Sequence, residues 1–193
     1  IEQVPKQRQT LLFSATFPNN IQSIAKRVMN NPVKIHAESV HDSITIKQHF
    51  YKVRYENEVE ALCTLLLQSD FESVLIFCNT KRETQRVADE LRTARFSALA
   101  LHGDFDQRDR TQTLVRFSNR SAQILVATDV AARGIDIDSL DAVINFHVAS
   151  SPDIHLHRIG RTGRAGQTGI AITLFSEKDA YKVAVLQESL GQV

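Results

Sequence analysis

Residues 157–166 read His-Arg-Ile-Gly-Arg-Thr-Gly-Arg-Ala-Gly, with arginines at 158, 161 and 164 and glycines at 160, 163 and 166. On a helix, positions three apart lie close to one face, so Arg161 and Arg164 can aim at one target. Planar, permanently charged guanidinium groups suit bidentate recognition of phosphate. Each glycine costs a helix interior about 1 kcal/mol relative to alanine. Three in seven residues therefore make poor scaffolding unless something must approach the backbone closely. The plain alternative is a solvated basic helix end. A second chemical stretch is Leu125-Val126-Ala127-Thr128-Asp129-Val130-Ala131-Ala132-Arg133-Gly134-Ile135-Asp136. Its small residues and Gly134 let a ligand touch the backbone, and Asp136 can accept hydrogen bonds from a ribose. A tight strand-to-helix turn with no ligand is the other reading.

The elements around these stretches follow from hydrophobic spacing. Residues 73–78 (SVLIFC) and 122–127 (AQILVA) are apolar runs of the kind expected for central parallel strands covered on both faces. Further strands are expected at 44–55, 96–101, 140–146 and 169–175. Helical spacing appears at 57–68 and 106–118, and Thr80 to Glu83 has the capping-box pattern that opens a helix to about Arg95. Ser151-Pro152 reads as an N-cap followed by proline at the first helical position, and Ser176 as the start of the last helix. Strands alternating with helices from 73 onward argue an α/β fold, a parallel sheet with helices on both faces. The polar clusters at 79–82, 102–104 and 128–136 all follow strands, so they should line one edge of that sheet.

The amino-terminal part has a different rhythm. Residues 9–14 (QTLLFS) read as a short buried strand, 19–29 as a helix stopped by Asn30-Asn31-Pro32, and 33–36 as a further strand. Residues 37–43 are polar and aperiodic, the best linker candidate, and 44–193 should form the main domain. The 193 residues are 42% hydrophobic and carry a formal net charge of +1, so any affinity for nucleic acid comes from local placement rather than bulk charge. Cys63 and Cys78 sit in apolar runs with no metal-ligand spacing, which predicts reduced core residues. No metal site is expected. The sequence holds no apolar run of membrane-spanning length and no signal peptide pattern, which makes a cytoplasmic location the default expectation.

These residues carry a resemblance. Thr128 to Asp136 and His157 to Arg164 resemble motifs V and VI of the DEAD-box ATP-dependent RNA helicases. Ser14-Ala15-Thr16 is similar to motif III, Leu75 to Thr80 to motif IV, and Gln107 to Arg110 to the QxxR element. The stretch from His102 to Phe117 most resembles the DbpA-type bacterial subfamily, whose members act on ribosomal RNA. The resemblance implies a second RecA-like domain over 44–193, preceded at 1–36 by the tail end of a first RecA-like domain. It implies that Arg161 and Arg164 reach the γ-phosphate of ATP as arginine fingers, with Gly134 and Asp136 at the nucleotide. His157 and Arg133 would couple to Ser14 and Thr16. Thr80, Arg82, Gly103, Gln107, Arg110, Thr128 and Gly134 would contact the RNA backbone.

His102 has two readings, a turn residue that caps its strand or a functional one. Where many family members have Asp after the Asn-Phe pair, this sequence has His147. No GxxxxGK[ST] loop and no Asp-Glu-Ala-Asp run occurs in the 193 residues, and in the family those parts hold the phosphates and Mg²⁺. The resemblance thus implies part of a longer enzyme, inactive without its first RecA-like domain. A stand-alone RNA- or protein-binding module without catalysis is the alternative. The apolar residues of 9–36, deprived of a parent sheet, are expected to be held by contacts with another copy of the chain.

Overall fold

The computed structural model describes residues 5, 7–14, 19–35, 46–133, 140–163 and 168–190. The chain divides into two compact units, Ile1–Val40 and His41–Val193. In the first unit the expected helix forms as α1 (Asn19–Val28), and Asn31 takes the left-handed conformation (φ 44°) that ends it. The two expected strands do not form. Residues 9–14 and 33–35 are irregular, with Leu11, Phe13, Val33 and Ile35 between 67% and 87% exposed. A strand exists only as part of a hydrogen-bonded ladder, and the described residues of this unit contain no other strand to pair with. Residue 36 of the second expected strand lies outside the described residues.

The second unit is a six-stranded sheet, every pairing parallel: β1 (Ile46–Lys52), β2 (Val74–Phe77), β3 (Ala98–Leu101), β4 (Ile124–Ala127), β5 (Ala142–Asn145) and β6 (Gly169–Phe175). The order across the sheet is β1-β6-β5-β2-β4-β3. Central β2 pairs in register with β4 (Val74 opposite Ile124) and β5 (Val74 opposite Ala142), and all four of its residues are buried. Alternation of side chains divides the core between two faces. On one face Val74, Ile76, Ile124, Val126 and Ile144 pack with α2 (Glu58–Leu67) and α3 (Lys81–Thr93) through Leu62, Leu66, Val87 and Leu91. On the other, Leu75, Phe77, Leu125 and Val143 meet α4 (Gln107–Ser118) at Phe117 and the single turn α5 (Asp129–Ala132) at Ala131 and Ala132. Near the β1 edge, Ile159 of α6 (Pro152–Ile159) packs on Ile46 and Ala171. Val183 and Leu186 of α7 (Ala180–Ser189) close over Val148, Phe50 and Phe175. Cys78 lies fully buried at the end of β2, where desolvation pushes its thiol up to about 12, the behaviour of an inert core residue.

Four helices start at side-chain caps on the carboxyl edge of the sheet. Thr80, Asp106, Thr128 and Ser151 accept from the backbone N–H of Glu83, Asp109, Ala131 and Ile154. The capping box of α3 is half made: Thr80 caps, while the Glu83 carboxylate turns to Arg86 at 2.6 Å. Ser176 caps no helix; its hydroxyl donates to Asp179 across the short 3-10 turn Glu177–Asp179 that precedes α7. The ends of α3 and α4 carry no glycine. Arg95 (φ 70°) and Arg120 (φ 60°) occupy the left-handed position that glycine usually takes there.

Glu58, the first residue of α2, is buried, and its desolvation, opposed mainly by Arg86, pushes the carboxyl up to about 7 from an ordinary 4.5. The folded state thus holds a proton that the unfolded chain releases. The resulting stability is complete below about pH 4.5 and is lost as pH rises through 7. Glu58→Gln is therefore expected to exceed the unsubstituted chain in stability by on the order of 2–3 kcal/mol at pH 8, a gain that vanishes near pH 4. Urea unfolding at the two pH values measures it; equal gains at both would show that burial of the charge is not the cause.

Candidate functional site: the carboxyl edge of the sheet

The site is assembled around Arg158, which emerges from α6 and is only 1% exposed. Its Nε donates to Asp129 Oδ1 at 2.6 Å, and its Nη2 to Asp129 Oδ2 at 2.8 Å and to Asn79 Oδ1 at 2.9 Å. Its Nη1 donates to the His147 carbonyl at 2.8 Å and to Asn145 Oδ1 at 3.2 Å. The guanidinium has five N–H groups, and all five are satisfied. The plane lies over the Phe77 ring, 5.1 Å from its centroid. One side chain thereby joins the ends of β2, β4 and β5 to α6. Asn79 is itself anchored twice more: its backbone N–H donates to His147 Nδ1 at 3.3 Å, and its amide to the Val148 carbonyl at 3.3 Å.

This arrangement separates the three arginines that the sequence presents as a set. Arg158 is consumed internally and cannot serve a ligand. Arg161 follows the helix cap at Gly160 and is half-buried, and Arg164 lies outside the described residues. The turn between them is fixed from within. Thr162 is buried with its hydroxyl donating to the Leu140 carbonyl, and Leu140 N–H donates to the Arg161 carbonyl at 3.2 Å. Gly163 takes a left-handed φ of 67°, and a Cβ on Gly169 would come within 2.4 Å of the Gly163 nitrogen. What approaches this glycine backbone closely is the chain's own β6.

His147 stands where a carboxylate was expected from the resemblance. Burial lowers its pKa below the ordinary value, opposed by Glu83, whose carboxylate is 4.0 Å from Nε2, and reinforced by Arg158. A neutral imidazole with an acceptor Nδ1 is what the Asn79 amide requires. His155, one turn before Arg158 on α6, is buried, bonded through Nε2 to Gln48 Oε1 at 2.9 Å and stacked on Phe50. Its desolvation lowers the pKa to about 4.

Of the residues singled out in the sequence, Thr80, Arg82, Gly103, Gln107, Arg110 and Thr128 all lie just beyond strands β2, β3 and β4, on one edge. Two contacts draw these loops together: Lys81 Nζ pairs with Asp104 at 2.9 Å, and Arg110 Nη2 donates to the Arg133 carbonyl at 3.2 Å. His102 is bonded to Gln85 of α3 at 3.3 Å, accepts weakly from Asp104 N–H at 3.4 Å, and stands edge-on to Phe105. It shapes the turn that presents Gly103, where a Cβ would meet nothing within 4 Å. His157 and Arg133 are exposed in the second unit, and Ser14 belongs to the first. Thr16, Gly134 and Asp136 lie outside the described residues. Sequence reasoning placed Asp129 and Asn79 inside motif stretches without giving either a role of its own, and gave none to Asn145. Their signal was slight: polar residues at the ends of otherwise apolar strands.

Residues 57–166 match the helicase conserved C-terminal domain family. The chain is also 34% identical to the Escherichia coli DEAD-box protein SrmB in its crystal structure with regulator of ribonuclease activity A (TM-score 0.70), over 74% of this chain and 84% of that one. This chain belongs to the DEAD-box helicases and carries their C-terminal domain. It is 48% identical over 186 residues to the ATP-dependent RNA helicase DbpA of Escherichia coli K12, covering 96% of this chain and 41% of that protein. It is 38% identical to a DEAD-box protein of the hyperthermophile Methanococcus jannaschii, with a TM-score of 0.74 over all of this chain and 52% of that one. The chain thus spans less than half the length of the curated relatives it matches. The RecA-like α/β architecture expected from the sequence is that of these structures.

Two substitutions separate what holds this edge together from what it presents. Asp129→Asn leaves a buried guanidinium without its counter-charge and is expected to destabilise the fold by about 3 kcal/mol or more. Gly103→Ala meets open space and should change stability by no more than about 0.5 kcal/mol. Denaturant midpoints measure both; a tolerant Asp129 would mean that the ion pair is not what fixes α6.

Proposed function

We propose that this chain is the nucleotide-finger and RNA-gripping half of an ATP-dependent DEAD-box RNA helicase. ATP would lie between it and a first RecA-like domain that supplies the phosphate loop and the carboxylates for Mg²⁺. Closure of the two domains on RNA would bend one strand and separate a short duplex, and hydrolysis would reopen them. Arg161 and Arg164 would stabilise charge on the γ-phosphate, and Gly134 and Asp136 would hold the nucleoside. His157 and Arg133 would meet Ser14 and Thr16 across the closed cleft. Within this reading residues 1–36 are the end of the first domain and 37–43 the linker.

The observation that carries the reading is the Arg158 network. It ties the loops that start α3 and α5, on which Thr80 and Thr128 sit, to the helix that leads into Arg161. A strand held at those loops and a phosphate held at Arg161 would therefore be sensed by one rigid body. RNA contacts made through capped helix starts, Gly103, Arg82, Gln107 and Arg110 address the backbone, so affinity should fall with salt and depend little on sequence. Ribosomal RNA is proposed as the substrate from the resemblance of His102 to Phe117 to the DbpA-type subfamily, and the cytoplasm is proposed as the location. The exposed Leu11, Phe13, Val33 and Ile35 support self-association of the isolated chain through 9–36. Light scattering with and without residues 1–40 should show a larger species only for the longer form.

The chain alone is expected to release no phosphate from ATP with RNA present. In the enzyme that also contains the first domain, Arg161→Ala should lower kcat by about 10³-fold or more, the scale for an arginine finger, with RNA affinity in the absence of nucleotide little changed. Lysine at 161 should rescue poorly. Gly103→Ala, neutral for stability, should weaken RNA binding. Wild-type kcat in Arg161→Ala with lost RNA binding would assign that arginine to the other ligand.

A further inference from the structure

The strand β1 and the turn after it carry a composition that the helicase reading does not use: Lys47, His49, Tyr51, Lys52, Arg54 and Tyr55 in nine residues. Among the described residues β1 is an edge strand, paired only with β6. Side chains two apart on a strand share a face, and the rings of His49 and Tyr51 lie 6.3 Å apart and 17° from parallel. Tyr51 is 43% exposed and Tyr55 64%, with Lys178 over the Tyr55 ring. Tyr51 thus leaves a large aromatic ring partly in solvent on the face of the edge strand, and Tyr55 does the same in the turn that follows.

Beside Tyr51 the sheet opens into a cavity of about 380 Å³ between β1 and α2. That volume lies in the range of about 300–1,000 Å³ typical of small-ligand sites. Its floor includes Tyr51 and Leu174, its wall is the N-cap Asn57 followed by Glu60, Ala61 and Thr64 of α2 at helical spacing, and Lys52 also lines it. Ala61 leaves room at the centre. The Thr64 hydroxyl donates to the Glu60 carbonyl at 2.9 Å and so offers only acceptor capacity. The Glu60 carboxylate is an acceptor as well, and Asn57 brings an amide.

We propose that this cavity is a nucleobase pocket, a second contact for single-stranded RNA lying apart from the carboxyl edge. A base stacks on Tyr51, continued by His49, with its hydrogen-bonding edge toward Glu60 and Asn57. Acceptors along the wall favour a base with an exocyclic amino group, cytosine above uracil. Lys52 is already paired with Glu177, so the contact depends on stacking more than on charge. Its salt dependence is accordingly shallower than that of the edge. The ligand class rests on the RNA reading above; the place and the base preference rest on this cavity.

The test is nuclear magnetic resonance of the ¹⁵N-labelled 193-residue chain, titrated with cytidine 5′-monophosphate, uridine 5′-monophosphate and a hexacytidine oligoribonucleotide. Cytidine monophosphate is expected to shift the amides of Tyr51, Asn57, Ala61 and Thr64. Tyr51→Ala should weaken the pocket response to hexacytidine roughly fivefold or more, the scale for one stacked base. Glu60→Gln, on an exposed helix face, should remove the preference for cytidine over uridine. Arg110→Ala should weaken only the shifts at 79–82, 102–104 and 128–133. Hexacytidine shifts confined to those edge loops overturn the pocket and leave the RNA reading standing; silence of both regions overturns both. A pocket silent toward RNA but shifted by an extended apolar heptapeptide is a protein-docking groove, and the proposal falls.

Discussion

A guanidinium buried in the protein interior is tolerable only if every N–H finds an acceptor and the charge finds its counterpart. Arg158 meets both conditions, and the way it does so dictates the rest of the edge. Its five acceptors come from β5, from the loops after β2 and β5, and from the first residue of α5. None of these loops can shift without leaving a donor of the buried guanidinium without its acceptor. The same bonds hold α6 against the sheet, so the turn that carries Arg161 inherits its position from a residue three places earlier. Rigidity at this point comes from polar satisfaction, while the apolar core on either face supplies the surface against which it is built.

The edge is correspondingly layered. Beneath lie the caps and the Arg158 network; above lie exposed groups that make few demands on the fold, among them Arg82, Gln107 and Gly103. His147 belongs to the lower layer. It serves as an acceptor for Asn79 N–H and lends its carbonyl to Arg158, so this imidazole is part of the scaffold. His102 also works from below, joining α3 to the turn before Gly103. The two histidines that sequence reasoning left open thus resolve as positioning groups.

The opposite end of the sheet is organised by a different constraint. Among the described residues β1 has a strand on one side only, and its amphipathic pattern puts Ile46, Gln48 and Phe50 toward α6 and α7. The other face of β1 extends past the shelter of α2 and leaves aromatic and basic side chains in water. Cover by helices is therefore uneven across the sheet. The uncovered stretch is where a surface other than the carboxyl edge becomes available.

Much of this was legible in the amino-acid order. Continuous apolar runs such as VLIF and ILVA state buried parallel strands, because only a strand covered on both faces lacks polar alternation. Thr80, Ser151 and Pro152 mark helix starts by local chemistry that needs no tertiary partner, and the motif spacing marks the edge. The amphipathic helix at 19–28 forms for the same reason, its period being a property of the segment alone. The strands expected at 9–14 and 33–35 do not form, since apolar composition cannot supply the neighbouring ladder that a strand requires. Nor does a run of three arginines say which one is buried. Arg158 was separated from Arg161 by contacts 11 to 79 residues distant in the chain. Those partners converge only once the strand order β5-β2-β4 has been built, and that order is decided by the packing of the whole sheet.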